Sequence, residues 1–240
     1  MHADKRLIVA IDVDTMEKVQ QLVETLGDAV SYYKVGMELF YSVGSQVITY
    51  LSAQGKEIFL DLKLHDIPNT VGKSLGALTG MKGISMLNVH ASGGLAMMMA
   101  AAASVKAKAI ELGIEPPKLI GVTVLTSINE GEWKTLGYDM ELPTQVVHLA
   151  RLAKSAGLDG VVASPQEAEK IRSACGEDFI IVTPGIRPSG AAINDQSRIA
   201  TPAGALNNGA HHLVIGRPIT SAADPRQAAQ AILQEMRNVK

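Results

Sequence analysis

Eight short apolar runs of strand type recur along the chain, and stretches with helical spacing lie between most of them. The runs are Leu7–Val13, Tyr32–Gly36, Glu57–Lys63, Ile84–Ala91, Lys118–Leu125, Gly160–Ser164, Phe179–Ile186 and His212–Ile219. Helical spacing marks Met16–Leu26, Gly94–Leu112, Leu142–Ala156, Pro165–Ala174 and Pro225–Met236. Alternation of this kind implies a parallel sheet, because a parallel neighbour is reached only through a long crossover. Eight such units in 240 residues fit a closed (β/α)8 TIM barrel of the α/β class better than an open doubly wound sheet, which usually has about five or six strands. No linker or composition break interrupts the pattern, so residues 1–240 read as one barrel domain.

The apolar content is 47% and the formal net charge −2. That is too neutral for a polyanion-binding surface and argues against a nucleic-acid partner. No apolar run reaches the roughly 20 residues a membrane helix needs, and Leu7–Val13 lacks a following cleavage region, so a cytoplasmic protein is expected. The single Cys175 cannot form an internal disulfide and reads as a small buried apolar residue.

Chemistry concentrates after Ile58-Phe59-Leu60, where Asp61, Lys63 and Asp66 arrive within six positions. Side chains alternate along a strand, so Asp61 and Lys63 share a face and are expected to touch. Asp66 lies past the strand end, and Pro68 suits the first turn of a following helix. The spacing alone also fits a charge-satisfied strand end capped by a helix. Against that, a lysine held near two carboxylates and partly desolvated is costly to assemble, and such clusters concentrate at functional sites.

The carboxyl ends of the remaining runs supply Asp12, Lys34, His90, Thr126 with Ser127, Arg187, and Gly216 with Arg217, all on the rim that is catalytic in barrels. Gly185-Ile186-Arg187 and Gly216-Arg217 close the seventh and eighth runs, where barrels commonly bind phosphate through loop N–H groups. Long connections follow the fifth run, Thr126 to Pro143, and the seventh, Arg187 to about Ala200; the second has the composition of a mobile lid. Trp133 reads as packing within the first. His65 and His90 could ligate a metal beside Asp61 and Asp66, but the ammonium groups of Lys34 and Lys63 would repel a divalent cation, and no metal is expected. The other histidines, His2, His148, His211 and His212, read as surface or supporting residues.

The segment Asp61-Leu62-Lys63-Leu64-His65-Asp66-Ile67-Pro68-Asn69-Thr70 resembles the signature of the orotidine 5'-phosphate decarboxylase family, which completes UMP synthesis. The resemblance extends over essentially the whole chain, through Ala10-Ile11-Asp12, Lys34-Val35-Gly36, Asn88-Val89-His90-Ala91, Leu125-Thr126-Ser127, Pro184-Gly185-Ile186-Arg187 and Ile215-Gly216-Arg217-Pro218. Gln196, nine residues after Arg187, also fits the family pattern. The resemblance implies that Lys63 protonates a C6 carbanion, flanked by Asp61 and by Asp66 from the other subunit of a homodimer. It implies that Asp12 and Lys34 hold ribose hydroxyls, with Lys34 also pairing Asp61 and Thr70 reaching in from the second subunit. Arg217, the Gly216 N–H and Gln196 would hold the phosphate, Arg187 would close the loop, Ser127 would meet the pyrimidine edge and Thr126 would line the pocket.

No cofactor is implied. Loss of carbon dioxide leaves an electron pair in the ring plane without a conjugated sink, and a fixed ammonium can stabilise it and then give up a proton. The alternatives are a magnesium-dependent sugar-phosphate decarboxylase or aldolase of the same superfamily, which shares Asp-x-Lys-x-x-Asp but carries a glutamate where this chain has Lys34, and a non-catalytic phosphate-ligand barrel.

Overall fold

The computed structural model describes residues 3–188, 200–237 and 239. The chain runs through β1 (Leu7–Ile11), α1 (Met16–Leu26), β2 (Tyr32–Gly36), α2 (Met37–Val43), α3 (Gln46–Ala53), β3 (Glu57–Leu64), α4 (Pro68–Thr79), β4 (Ile84–His90) and α5 (Leu95–Leu112). It continues through β5 (Lys118–Val122), α6 (Glu130–Thr135), α7 (Leu142–Ser155), β6 (Gly160–Val162), α8 (Ala168–Cys175), β7 (Ile180–Thr183), α9 (Pro202–Asn207), β8 (His212–Ile215), α10 (Arg217–Thr220) and α11 (Pro225–Arg237). The eight strands are parallel and close in sequence order, β8 returning to β1 through Leu7↔Leu213, Ile8↔Val214 and Val9↔Ile215. This is the (β/α)8 barrel that the alternation predicts.

Local chemistry sets the helix starts. Thr15 caps α1 by accepting a hydrogen bond from the Lys18 N–H, and Val19, Leu22, Val23 and Leu26 then make one buried stripe. Each such side chain contributes about 1.5–3 kcal/mol when fully buried. Pro68 opens α4 as expected, at a position where its missing N–H costs nothing.

Strand alternation builds two apolar layers. One set of positions, including Val9, Val35, Leu60 and Val89, faces the helices. The other set, Ile8, Ala10, Tyr32, Phe59, Met86, Ile120, Val182 and Val214, fills the barrel interior. The next inward positions toward the strand carboxyl ends are Asp12 just past β1 with Lys34, Asp61 and Asn88 on β2 to β4, against Val122 on β5 and Pro184 and Gly216 just past β7 and β8. The apolar plug therefore ends beneath a layer of inward positions that is charged or polar on the β1 to β4 side and uncharged on the other.

Six strands stop short of their apolar runs: β1, β4 and β6 by one or two residues, and β5, β7 and β8 by three or more. β5 ends at Val122, not Leu125, because its neighbour β6 has only three residues and offers no ladder partner beyond Val162. β7 ends at Thr183, before Pro184, which has no N–H to donate. β8 ends at Ile215, since Gly216 departs from extended geometry and Arg217-Pro218 starts a helical turn. Val124, Ile186 and Ile219 stay buried, which is why the apolar runs outlast the ladders. The long connection after β5 also contains α6, where Trp133 is buried, stacks on Tyr138 at 4.3 Å and donates its indole N–H to the Met140 carbonyl at 2.8 Å. Cys175 is buried on α8, as expected.

Candidate active site

A chain of ionic contacts crosses the charged half of the rim. Lys34 Nζ lies 3.2 Å from Asp12 Oδ1 and 3.4 Å from Asp61 Oδ2, while Lys63 Nζ lies 2.8 Å from Asp61 Oδ1. The expected contact between Asp61 and Lys63 is present. Asp61 is only 7% exposed, and its Oδ1 also accepts from Asn88 Nδ2 at 2.7 Å. Burial pushes the Asp61 carboxyl upward, but the charges of Lys34 and Lys63 and hydrogen bonds from Lys63 and Asn88 outweigh it and hold the group below its ordinary value. Lys34 answers in kind: burial acts to lower it, and the charges of Asp61 and Asp12 raise it overall. Both groups are held in their charged forms.

Lys63 is the one non-glycine residue with positive φ among the described residues, at 50°. That left-handed conformation costs a side-chain-bearing residue about 1–2 kcal/mol. Asn88 Oδ1 accepts the Lys63 backbone N–H at 2.8 Å. The sequence motif includes Asn88 without a role for it; an amide in an otherwise apolar stretch of β4 was the available signal.

Lys34, Asp61 and Lys63 border a cavity of about 250 Å³. Lys34, Asp61, Lys63, Thr126 and Ser127 supply polar lining, and Phe59, Val122, Val124, Val162 and Val214 supply apolar lining. A flat, partly polar ring with a charged substituent matches such a two-sided pocket better than a fully hydrated sugar does. Gly216 abuts Asp12: a Cβ there would stand 3.3 Å from Asp12 Oδ2, so the small residue keeps that approach open. Arg217 is exposed at the start of α10, and Arg187 is buried, its Nη1 donating to the Ile186 carbonyl at 2.9 Å.

Asp66 and Thr70 are not drawn into their own barrel mouth. His65 to Thr70 form an unbroken exposed run, and Asp66 Oδ1 accepts from the N–H of its neighbour Ile67 at 2.6 Å. Gln196, and most of the connection with lid-like composition, lie outside the described residues. Its flanks meet where Ile186 bridges Ala200 and the Arg187 N–H donates to the Ala200 carbonyl at 2.9 Å. His65 and His90 lie 5.4 Å apart, ring centre to ring centre. Burial first, then His65 and Lys63, push His90 below its ordinary value. Among the described residues, no three His, Cys, Asp or Glu side chains gather as a metal cage.

The family model described as orotidine 5'-phosphate decarboxylase / HUMPS family matches residues 5–232. The chain belongs to this family. A relative from Carboxydothermus hydrogenoformans, named orotidine 5'-phosphate decarboxylase, is 50% identical over 235 residues, covering 98% of this chain and 97% of its own. One of the same name from Moorella thermoacetica is 48% identical over 241 residues, covering 100% of this chain and 95% of its own. The crystal structure of orotidine 5'-phosphate decarboxylase from Lactobacillus acidophilus has a TM-score of 0.85 and 43% identity, across 97% of this chain and 99% of that one. Family membership thus agrees with the motif that surrounds Asp61 and Lys63.

Proposed function

We propose that this chain is a carboxy-lyase that converts orotidine 5'-phosphate to UMP and carbon dioxide, the last step of pyrimidine nucleotide synthesis. The observation that carries this reading is the buried Asp61 carboxylate held between two ammonium groups, one of which, Lys63, borders the cavity. The C6–carboxylate bond breaks, its electron pair stays on C6 in the ring plane, and the Lys63 ammonium stabilises that charge before passing a proton to C6. Solvent then returns a proton to the lysine. Asp61, with Lys34 behind it, keeps Lys63 oriented through the cycle.

The pyrimidine lies toward the apolar lining of the cavity, with Ser127 at its polar edge and Thr126 beside it. Asp12 and Lys34 take the ribose hydroxyls. Arg217, the Gly216 N–H and Gln196 take the phosphate, and Arg187 closes over it, so binding energy far from C6 is available to order the site. Asp66 and Thr70 act in the neighbouring copy of a homodimer, which accounts for the exposed run that holds them. Residues 1–240 act as one catalytic domain, a reading supported by the family match over 5–232. A net charge of −2 and, among the described residues, no helix long and apolar enough to cross a membrane support the reading of a cytoplasmic enzyme with no nucleic-acid or membrane partner.

A magnesium-dependent sugar-phosphate lyase is the competing reading. Lys34 Nζ stands 3.4 Å from Asp61 Oδ2, filling with positive charge the place a cation would need. The deciding experiment is UMP formation from orotidine 5'-phosphate in excess EDTA, with and without added magnesium. Equal rates are expected; a rate that appears only with magnesium overturns the reading.

A further inference from the structure

We infer that Asn88 is the positioning residue that sets the Lys63 ammonium, by clamping a three-residue bulge of β3 from the neighbouring strand β4. The inference rests on the proposed decarboxylase reading and names a group outside the roles assigned above.

The register carries the argument. β3 and β4 pair through Phe59↔Met86 and Leu60↔Leu87, and next through Leu64↔Val89. Three residues of β3, Asp61, Leu62 and Lys63, therefore stand opposite one residue of β4, Asn88. Such a bulge leaves ladder groups without their ordinary partners and re-aims the side chains it carries. Here the Asn88 carboxamide substitutes for the ladder: its Oδ1 takes the Lys63 N–H at 2.8 Å, and its Nδ2 donates to Asp61 Oδ1 at 2.7 Å. The same carboxylate oxygen accepts from Lys63 Nζ at 2.8 Å. One side chain, 2% exposed, thus holds both the backbone of Lys63 and the carboxylate its ammonium leans on.

The chemistry demands a group that accepts on one side and donates on the other. A carboxamide does so at any pH near neutrality; an aliphatic residue offers neither, and a carboxylate only accepts. Without the clamp, the half-buried Lys63 N–H loses its partner and the left-handed turn at φ 50° loses its support. Asn88 does not border the cavity, so its loss is expected to act on turnover and not on ligand capture.

The test compares Asn88→Ala and Asn88→Asp with the parent enzyme, measuring kcat and KM for orotidine 5'-phosphate from about pH 5 to about pH 8, together with UMP affinity. Asn88→Ala is expected to lower kcat about a hundredfold at every pH, with UMP affinity within about threefold of the parent. Asn88→Asp is expected to be as poor near neutrality, where a new carboxylate faces Asp61. It regains activity toward acid pH relative to the parent, because a protonated carboxyl has the donor and acceptor of the amide. The charged or titrating groups around that carboxyl are Asp61 and Lys63 on β3, Lys34 beyond them on β2, and His90 on its own strand; all are shared with the parent, so the ratio of variant to parent isolates position 88.

An Asn88→Ala enzyme with kcat within about threefold of the parent overturns the inference. So does an Asn88→Asp enzyme whose ratio to the parent is flat with pH. A loss of UMP affinity as large as the loss of kcat/KM, including that caused by failure to fold, overturns it too, since Asn88 would then support the structure or the pocket as a whole. A parent that forms no UMP would instead reject the decarboxylase reading.

Discussion

Asp61 and Lys63 meet at 2.8 Å inside a bulge of β3, with the carboxylate buried and the lysine backbone in the left-handed region. The pair is held by its surroundings: Lys34 takes the second carboxylate oxygen, and Asn88 braces the bulge. An ammonium fixed in this way need not reorganise when negative charge develops at the substrate.

Arg217 tests the remote contribution of phosphate. It is exposed at the turn that follows β8, on the rim beside Gly216. A charge-assisted fork to phosphate contributes about 1.5–3 kcal/mol, so Arg217→Ala is expected to lower kcat/KM about 10- to 150-fold with the thermal midpoint little changed. Steady-state kinetics and a melting curve check both halves. An unchanged kcat/KM means that the anion binds elsewhere.

Subunit mixing tests the assignment of Asp66. Lys63→Ala and Asp66→Asn are prepared separately, each expected to be nearly inactive, then unfolded together in equal amounts and refolded. If the site is shared, each mixed dimer has one site with both lesions and one with neither. Random pairing makes about half the dimers mixed, so about a quarter of the parent activity returns. If both residues serve their own barrel, every site carries one lesion and the mixture is no more active than its components.

Acid stability should depend on His211 at the base of the barrel. Its Nδ1 accepts from the Ile181 N–H at 3.1 Å and faces Arg172 Nη2 at 2.8 Å, so the folded state requires that nitrogen unprotonated. Burial, then the charges of Arg172 and His212, hold His211 below its ordinary value. The unfolded chain binds the proton first: the stabilisation is complete above about pH 6.5 and declines as pH falls through the interval down to the lowered folded value. His90 and His212 are lowered as well, and act with the same sign. Denaturant midpoints are expected to fall from about pH 7.5 to about pH 5.5, and to fall less in His211→Asn, whose side-chain oxygen keeps an acceptor that does not titrate. An equal fall in both proteins removes His211 from the account.

Much of this architecture was legible because it is local. Strand runs, helix stripes and the Pro68 start depend on near neighbours; two-residue alternation anticipated the contact between Asp61 and Lys63, but the contact is made inside a bulge that alternation does not describe. Strand ends were less legible: Val124 and Ile219 continue their apolar runs because they are buried, while the ladder stops where a neighbouring strand or a proline stops it. The short helices α2, α6, α9 and α10, of seven residues or fewer, carry too few turns to display a period. The clamp at Asn88 was hidden for a different reason, since it depends on the register between β3 and β4, which no single stretch of sequence encodes.

The most direct measurement of the central claim is turnover of orotidine 5'-phosphate by Lys63→Ala, with UMP affinity determined on the same preparation. The account predicts that kcat/KM falls at least about a thousandfold while UMP affinity stays within about tenfold, because the developing carbanion loses its ammonium but the phosphate and ribose contacts remain. Residual kcat/KM within about tenfold of the parent would contradict it, and Lys63 could then be neither the stabilising charge nor the proton donor.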